Sequence, residues 1–245
     1  MDIRKSWIVR TPIAHRGFHN AELPENSIGA FLNAAENGFA AELDVRMIDD
    51  GTVVVFHDDS LTRMTNADGY IGNMKKEDLK NLKLLGTEYS IPTFEEVLEA
   101  VKGATPLLIE IKNDGKVGEL ESKVIEILSS YEGKVAVQSF NPYSLEYFKK
   151  NAPQYFRGQL STFFSKSDLP FVKRYLLKRL KLNKVSKPDF ISYGAEFLPN
   201  PYVSATKLPV LAWTIRDNGE MEATLPYCDN IIFEKFTPFI TRSYD

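Results

Sequence analysis

Four short stretches in the first 112 residues of this 245-residue chain carry residues able to do chemistry: His15-Arg16, Glu42 with Asp44, His57-Asp58, and Glu110 with Lys112. Each ends or interrupts a short apolar run. Side chains two apart on a strand share a face, so Glu42 pairs with Asp44 and Glu110 with Lys112. Three carboxylates brought to one place repel, and each drives the others' pKa upward unless a cation neutralises them. One bound divalent cation is the simplest remedy. An all-oxygen donor set favours Mg²⁺ or Ca²⁺ over zinc, whose catalytic sites use histidine nitrogen. The plainer alternative is a set of buried salt bridges with Arg16, Arg46 and Lys112. Two such same-face pairs, three carboxylates in all, beside strand-end histidines favour the metal.

His15 and His57 can supply one base and one acid near neutral pH. The third histidine, His19, falls in an expected loop and is read as a surface or supporting residue. The planar fork of Arg16 and the point charge of Lys112 suit a phosphate bridged to a metal. Rival chemistries fail on inspection. No two of the 14 glycines are separated by one residue, so a G-x-G-x-x-G turn is impossible, and no Walker loop, G-x-S-x-G or H-E-x-x-H occurs. His57-Asp58 follows Val-Val-Val-Phe, a strand setting that excludes the helical HD phosphohydrolases.

Strand-like apolar runs occupy residues 12–15, 41–48, 52–57, 107–112, 135–140, 156–161, 190–193, 209–215 and 230–233. Helical stripes lie between them. Ile28, Phe31, Leu32 and Ala35 make one, Phe94, Val97, Leu98 and Val101 a second, and Leu120, Val124, Ile127 and Leu128 a third. Ser27 is placed to cap the first, and Thr93 with Glu96 forms a capping box before the second. The run at 52–57 follows Asp50-Gly51 and reads as a hairpin partner. Eight strands then remain, each followed by a helix or a helix-sized gap, which predicts a (β/α)₈ barrel rather than an open doubly wound sheet. In such a barrel the strand ends named above would line one mouth. Residues 58–92 read as a small insertion after the second strand, within a single domain spanning 1–245.

With 43% hydrophobic and 26% charged residues, the chain is neither disordered, collagenous nor coiled coil. Cys228 alone permits no internal disulfide and no multi-cysteine zinc site. A net charge of −3 argues against a nucleic-acid partner held by a global positive field. Charges interrupt the first twelve residues too often for a signal peptide, and no run reaches membrane-spanning length, so a soluble, cytoplasmic protein is expected.

The motifs, taken together, resemble the glycerophosphodiester phosphodiesterase family: Ile13-Ala-His-Arg-Gly-Phe-His, Pro24-Glu-Asn-Ser, Glu42-Leu-Asp-Val, Val54-Val-Phe-His-Asp, Leu61-Thr-Arg, Ile91-Pro-Thr-Phe-Glu-Glu-Val and Leu108-Ile-Glu-Ile-Lys, then more faintly Gln138-Ser-Phe and Trp213-Thr. The resemblance implies a (β/α)₈ barrel with a small insertion, a divalent cation on Glu42, Asp44 and Glu110, and His15 and His57 as the catalytic pair. It also implies cleavage of a glycerophosphodiester such as glycerophosphocholine to glycerol 3-phosphate and an alcohol. Arg16 and Lys112 would hold the phosphate, with Trp213 as a wall for the glycerol.

Four positions depart from the family pattern. Ser27 replaces the usual Thr, and Ile48 stands where a small hydroxyl residue is frequent. Arg216 replaces an Asn, and Asn230-Ile-Ile-Phe-Glu-Lys lacks the Gly-Ile-x-Thr-Asp ending. The last two are expected on the side of the mouth away from the metal, where they would touch substrate choice. Residues 166–187 carry eight basic residues and one acid, Asp168, with a helix expected at 171–180. That basic stretch motivates an alternative, a lysophospholipase D-type enzyme working at a membrane surface. A barrel that binds phosphodiesters without turnover is the remaining alternative.

Overall fold

Nine strands occupy the nine apolar runs: β1 (Ile13–Ala14), β2 (Ala40–Met47), β3 (Val53–Val55), β4 (Leu107–Ile111), β5 (Val135–Ser139), β6 (Phe156–Ser161), β7 (Phe190–Gly194), β8 (Val210–Ile215) and β9 (Asn230–Phe233). The structure is a computed structural model and describes residues 2–113, 115–164 and 169–239. β1 pairs in parallel with both β2 and β9, through Ile13↔Ala40 and Ile13↔Ile232, so the sheet closes on itself. Every strand but β3 lies parallel to its neighbours, giving an eight-stranded TIM barrel. β3 is the hairpin partner, antiparallel to β2 through Val45↔Val55 and Met47↔Val53.

The residue alternation along each strand sorts the barrel into two surfaces. Ala41, Leu43 and Val45 of β2, with Leu107, Ile109 and Ile111 of β4, face outward into the main core. There they meet Phe31 and Ala34 of α1 (Ile28–Glu36), Phe94, Val97 and Val101 of α2 (Phe94–Val101), and Leu120 and Val124 of α3 (Glu119–Leu128). The inward positions begin apolar: Ile13, Ala40, Leu108, Ala136, Phe190, Leu211 and Ile232 plug the N-terminal end of the barrel. Two residues further along, the same inward face carries His15, Glu42, Glu110, Gln138, Ser192, Trp213 and Glu234. The apolar layer supplies the stability of the barrel, and the polar layer above it faces the mouth.

Both caps form as expected. Ser27 Oγ accepts from the Ala30 amide at 3.2 Å, and Thr93 and Glu96 exchange bonds of 3.2 and 2.7 Å. Residues 58–92 fold into short helical turns over a small cluster of their own, in which Leu61, Met64, Ile71, Leu79 and Leu84 pack on Val54 and Phe56. Ile48 belongs to this cluster, so its departure from the family pattern serves packing. After β5 comes α4 (Pro142–Asn151), and after β6 comes α5 (Phe171–Lys178), which ends short of the expected 171–180. Lys166 and Asp168 of the basic stretch lie outside the described residues. Among the described residues no helix is long and apolar enough to cross a membrane.

Candidate active site

The register of β2 against β4 makes Asp44 and Glu110 direct neighbours, and Glu42 shares their face one step earlier. One oxygen from each of the three carboxylates lies within 4.8 Å of the others, and all three side chains are buried. Lys112 Nζ sits 2.5 Å from Glu110 Oε1 and 3.2 Å from Asp44 Oδ1. Arg16 Nε is 3.5 Å from Asp44 Oδ2, while the Arg16 amide donates to Glu42 Oε2 at 3.0 Å. Asn26 donates to Asp44 Oδ2 at 2.9 Å. The salt bridges of the plainer reading therefore form with Arg16 and Lys112, whereas Arg46 turns to Asp59 and the His57 carbonyl, and the two that form do not balance the cluster.

Burial, then the charges of Asp44 and Glu110, push the Glu42 carboxyl well above its usual range, and Arg16 offsets this only in part. Burial also raises Glu110 in spite of Lys112. Asp44 is held below its usual range, because Lys112, His57 and Arg16 outweigh its burial. Two cationic side chains thus leave two of three converging acids, Glu42 most of all, pushed toward the neutral form. The donors are all carboxylate oxygens, and the cluster lacks positive charge. Both facts fit a hard divalent cation held by Glu42, Asp44 and Glu110.

His15 and His57 are each gripped through Nδ1 by a carboxylate. His15 Nδ1 lies 2.7 Å from Glu234 Oε2, and His57 Nδ1 lies 2.7 Å from Asp58 Oδ1. A donor at Nδ1 leaves Nε2 free for proton transfer. Burial lowers the His57 pKa below its ordinary value, with Lys112 and Arg16 acting in the same direction and Asp44 and Asp58 against it. Glu234 is anchored in turn by Arg216 Nε at 2.9 Å, and Asp58 by Arg63 Nε at 2.6 Å. Arg63 also reaches Glu25 at 2.7 Å, and Glu25 holds Arg16 at 2.6 Å. A continuous chain of charge thereby links the His57 grip to the arginine beside Asp44. His19, expected as a surface or supporting residue, is half-buried, with Nε2 4.0 Å from Glu234 Oε2.

Arg216 and the ending of the last strand, expected to bear on substrate choice, also reach His15 through Glu234, a contact the sequence reading did not include. β9 lies beside β1, Ile13 and Ile232 are register partners, and His15 and Glu234 each follow two residues later on the inward face. The alternation of β9 carried this signal, because residue 234 continues the inward series Asn230, Ile232. Glu25, Asn26 and Arg63 were also missed as site residues. Their contacts depend on the path of the loop after β1, which no strand or helix period encodes.

That path turns on two residues. Arg16 takes a φ of +55° and Gly17 a φ of +81°. A Cβ on Gly17 would lie 2.8 Å from the backbone of Ala30, so only glycine lets α1 approach this closely.

A cavity of about 880 Å³ opens from Glu110 and Lys112 outward between the loops after β4, β5 and β6. Phe140, Tyr143, Phe164 and Leu177 are among its lining residues, and neither histidine is. Trp213 stands edge-on to Phe140, with ring centroids 5.7 Å apart. Trp213 Nε1 and Arg16 Nε are buried donors without a hydrogen-bond partner. Buried donors are rarely left unpaired, so the Trp213 indole, packed on the cavity-lining Phe140, suits an acceptor from a ligand, while Arg16 Nε faces Asp44.

The family model described as the glycerophosphoryl diester phosphodiesterase family matches residues 15–233. The chain belongs to that family. Its members are phosphoric diester hydrolases. A glycerophosphodiester phosphodiesterase of Caldanaerobacter subterraneus subsp. tengcongensis is 39% identical over 152 residues, which cover 58% of this chain and 62% of the relative. YhdW of Bacillus subtilis is 31% identical over 198 residues, covering 71% of this chain and 81% of the relative. Among solved structures, an Oleispira antarctica phosphodiesterase in complex with the product sn-glycerol 3-phosphate superposes with a TM-score of 0.77 at 26% identity, over 91% of each chain. The match ends at residue 233, one residue before Glu234, so this member of the glycerophosphoryl diester phosphodiesterase family grips His15 from just beyond the matched stretch.

Proposed function

We propose that the protein hydrolyses glycerophosphodiesters such as glycerophosphocholine to glycerol 3-phosphate and an alcohol. The observation that carries this reading is the pairing of two carboxylate-gripped imidazoles with a buried, charge-deficient acid triad in one barrel mouth. In the overall change the phosphorus–oxygen bond to the alcohol breaks, an oxygen from water ends on phosphorus, and the leaving alkoxide gains a proton. One of His15 and His57 takes a proton at Nε2 from the attacking hydroxyl, and the other donates one from Nε2 to the alkoxide. Glu234 and Asp58 keep the two rings turned for this exchange.

Arg16 and Lys112 hold the phosphate oxygens, Arg16 with its guanidinium beside Asp44 and Lys112 from the edge of the cavity. Glu42, Asp44 and Glu110 would hold Mg²⁺ or Ca²⁺, which when bound withdraws charge from a phosphate oxygen. Trp213 borders the glycerol side, where its unpaired Nε1 can meet a hydroxyl.

The test is release of glycerol 3-phosphate from glycerophosphocholine by the purified chain with added Mg²⁺ or Ca²⁺. His15→Ala and His57→Ala are each expected to lower kcat by on the order of 10²–10⁴. Near-normal turnover by either variant would remove that imidazole from the mechanism. A lysophospholipid substrate is the second reading, supported by the cavity's volume of about 880 Å³ and its aromatic and aliphatic lining, which exceed the needs of a small polar alcohol. Running both substrates side by side decides between them.

A further inference from the structure

The cavity wall contributed by α5 belongs to a segment whose composition is unlike the rest of the chain. Residues 171–187 contain seven Lys and Arg and no acidic residue, leaving 23 basic against 33 acidic residues elsewhere. Among the described residues, none of the seven pairs with a carboxylate. Arg179 stacks on Tyr175 and Tyr202, 4.2 and 4.9 Å from the ring centroids, and Lys178 lies 5.7 Å from the Phe163 centroid.

α5 buries Leu177 and turns its opposite face to water. On that face Phe171 is 70% exposed, Val172 66% and Tyr175 37%. Arg174 and Lys178 lie at the helical spacings that put them on the same stripe as Phe171 and Tyr175. A ridge of apolar tips flanked by cations is thus presented by a protein of net negative charge.

We propose that this ridge docks the mouth of the barrel onto an anionic lipid bilayer. Phe171 and Val172 enter the boundary between headgroups and acyl chains, and Arg174, Lys178 and the cations that follow meet acidic headgroups. Each cation near such a surface strengthens binding by roughly fivefold. A nucleic acid or an acidic protein surface would use the same cations but has no acyl region to receive the apolar tips. The exposed apolar side chains therefore favour lipid. Leu177 and Leu182, on the inner side of this segment, line the cavity that opens from Glu110 and Lys112, so docking holds the wall of that cavity at the lipid surface. Binding stands on the ridge alone, and its use in delivering substrate rests on the phosphodiesterase reading.

The experiment is flotation of the full chain with phosphatidylcholine vesicles, with and without an equal share of phosphatidylglycerol, at about 0.1 M and 1 M salt. The wild-type protein is expected to float with the anionic vesicles at low salt and to stay behind with phosphatidylcholine alone. Arg174→Glu with Lys178→Glu should weaken binding by tenfold or more, and so should Phe171→Ser with Val172→Ser, each with an unchanged thermal melt. Absence of binding to anionic vesicles overturns the proposal. So does binding that ignores Phe171→Ser with Val172→Ser, because that marks simple ionic adsorption, for which duplex DNA would compete. Glycerol 3-phosphate release from soluble glycerophosphocholine is measured on the same preparations and should be equal in all three proteins. Its absence from the wild type would sink the phosphodiesterase reading and leave the flotation result standing.

Discussion

Glu234 holds His15 at 2.7 Å with one oxygen and takes Arg216 with the other, an arrangement that fixes both the ring and its tautomer. Replacing it by Gln keeps an acceptor but removes the charge and lets the amide turn. Glu234→Gln is therefore expected to lower kcat by on the order of 10²-fold, the scale of a misplaced reacting group, with KM little changed. Steady-state kinetics on glycerophosphocholine check this, and a wild-type kcat would show that His15 needs no such support. Burial would raise the Glu234 carboxyl, but the His15 hydrogen bond and the charges of His15, Arg216 and Lys235 pull it down to about 2. Asp58 likewise reaches about 2, because the bonds from Arg63 and His57 overcome its burial. Both folded values lie below the ordinary carboxylate range, so their stabilisation is fully present above roughly pH 5 and is lost as pH falls toward 2. Urea unfolding at stepped pH should find that decline, and find it shallower in Glu234→Gln. At this scale the sequence exposed the residues that end apolar runs, His15, Glu42, Asp44, His57, Glu110 and Lys112. It hid Glu25 and Asn26, whose contacts depend on the loop turned at Arg16 and Gly17.

The strands could be read from apolar runs, and the helices α1 to α3 from stripes and caps, because burial on both faces of a barrel strand leaves a nearly unbroken apolar signature. Boundaries shifted where a residue served the site. β1 stops at Ala14 although the run continued to His15, since the left-handed turn at Arg16 and Gly17 takes the chain out of the sheet. Gly17 tests how tightly that turn is built. Gly17→Ala meets a forbidding φ and a contact of 2.8 Å with Ala30 together, whereas Gly51→Ala meets the same φ of +81° with nothing within 4 Å. Gly51→Ala is expected to cost about 1–2 kcal/mol through backbone conformation alone. Gly17→Ala should cost more than this and also lower activity, since the Gly17 amide donates to the Glu42 carbonyl at 3.1 Å. Urea denaturation of the two variants isolates the steric part. Equal losses would mean that α1 can withdraw from the turn without penalty.

Counting strands and subtracting one hairpin partner predicts a closed barrel, yet the closure itself is a property of the whole molecule: it depends on Ile13 pairing with both Ala40 and Ile232. Closure also assembles the site. It brings β9 beside β1 and so Glu234 to His15, a contact between the two ends of the chain that no local pattern contains. The same assembly concentrates like charge, because Glu42, Asp44 and Glu110 converge with Lys112 and Arg16 as the permanent cations against them. That repulsion exists only in the folded state, since the unfolded chain separates Asp44 from Glu110 by 66 residues of sequence. A cation that binds the folded triad and not the unfolded chain must therefore stabilise the fold. At a concentration 100 times its Kd the gain is about 2.7 kcal/mol. For a chain of this length that corresponds to a rise in Tm of roughly 5–10 °C. Thermal melts with and without Mg²⁺ or Ca²⁺ should register the rise, and a chelator should reverse it. Glu42→Gln removes one of the three repelling charges, so its metal-free melt should match or exceed that of the wild type while its response to either cation largely disappears. A wild-type melt indifferent to both cations would mean that Lys112 and Arg16 balance the triad on their own.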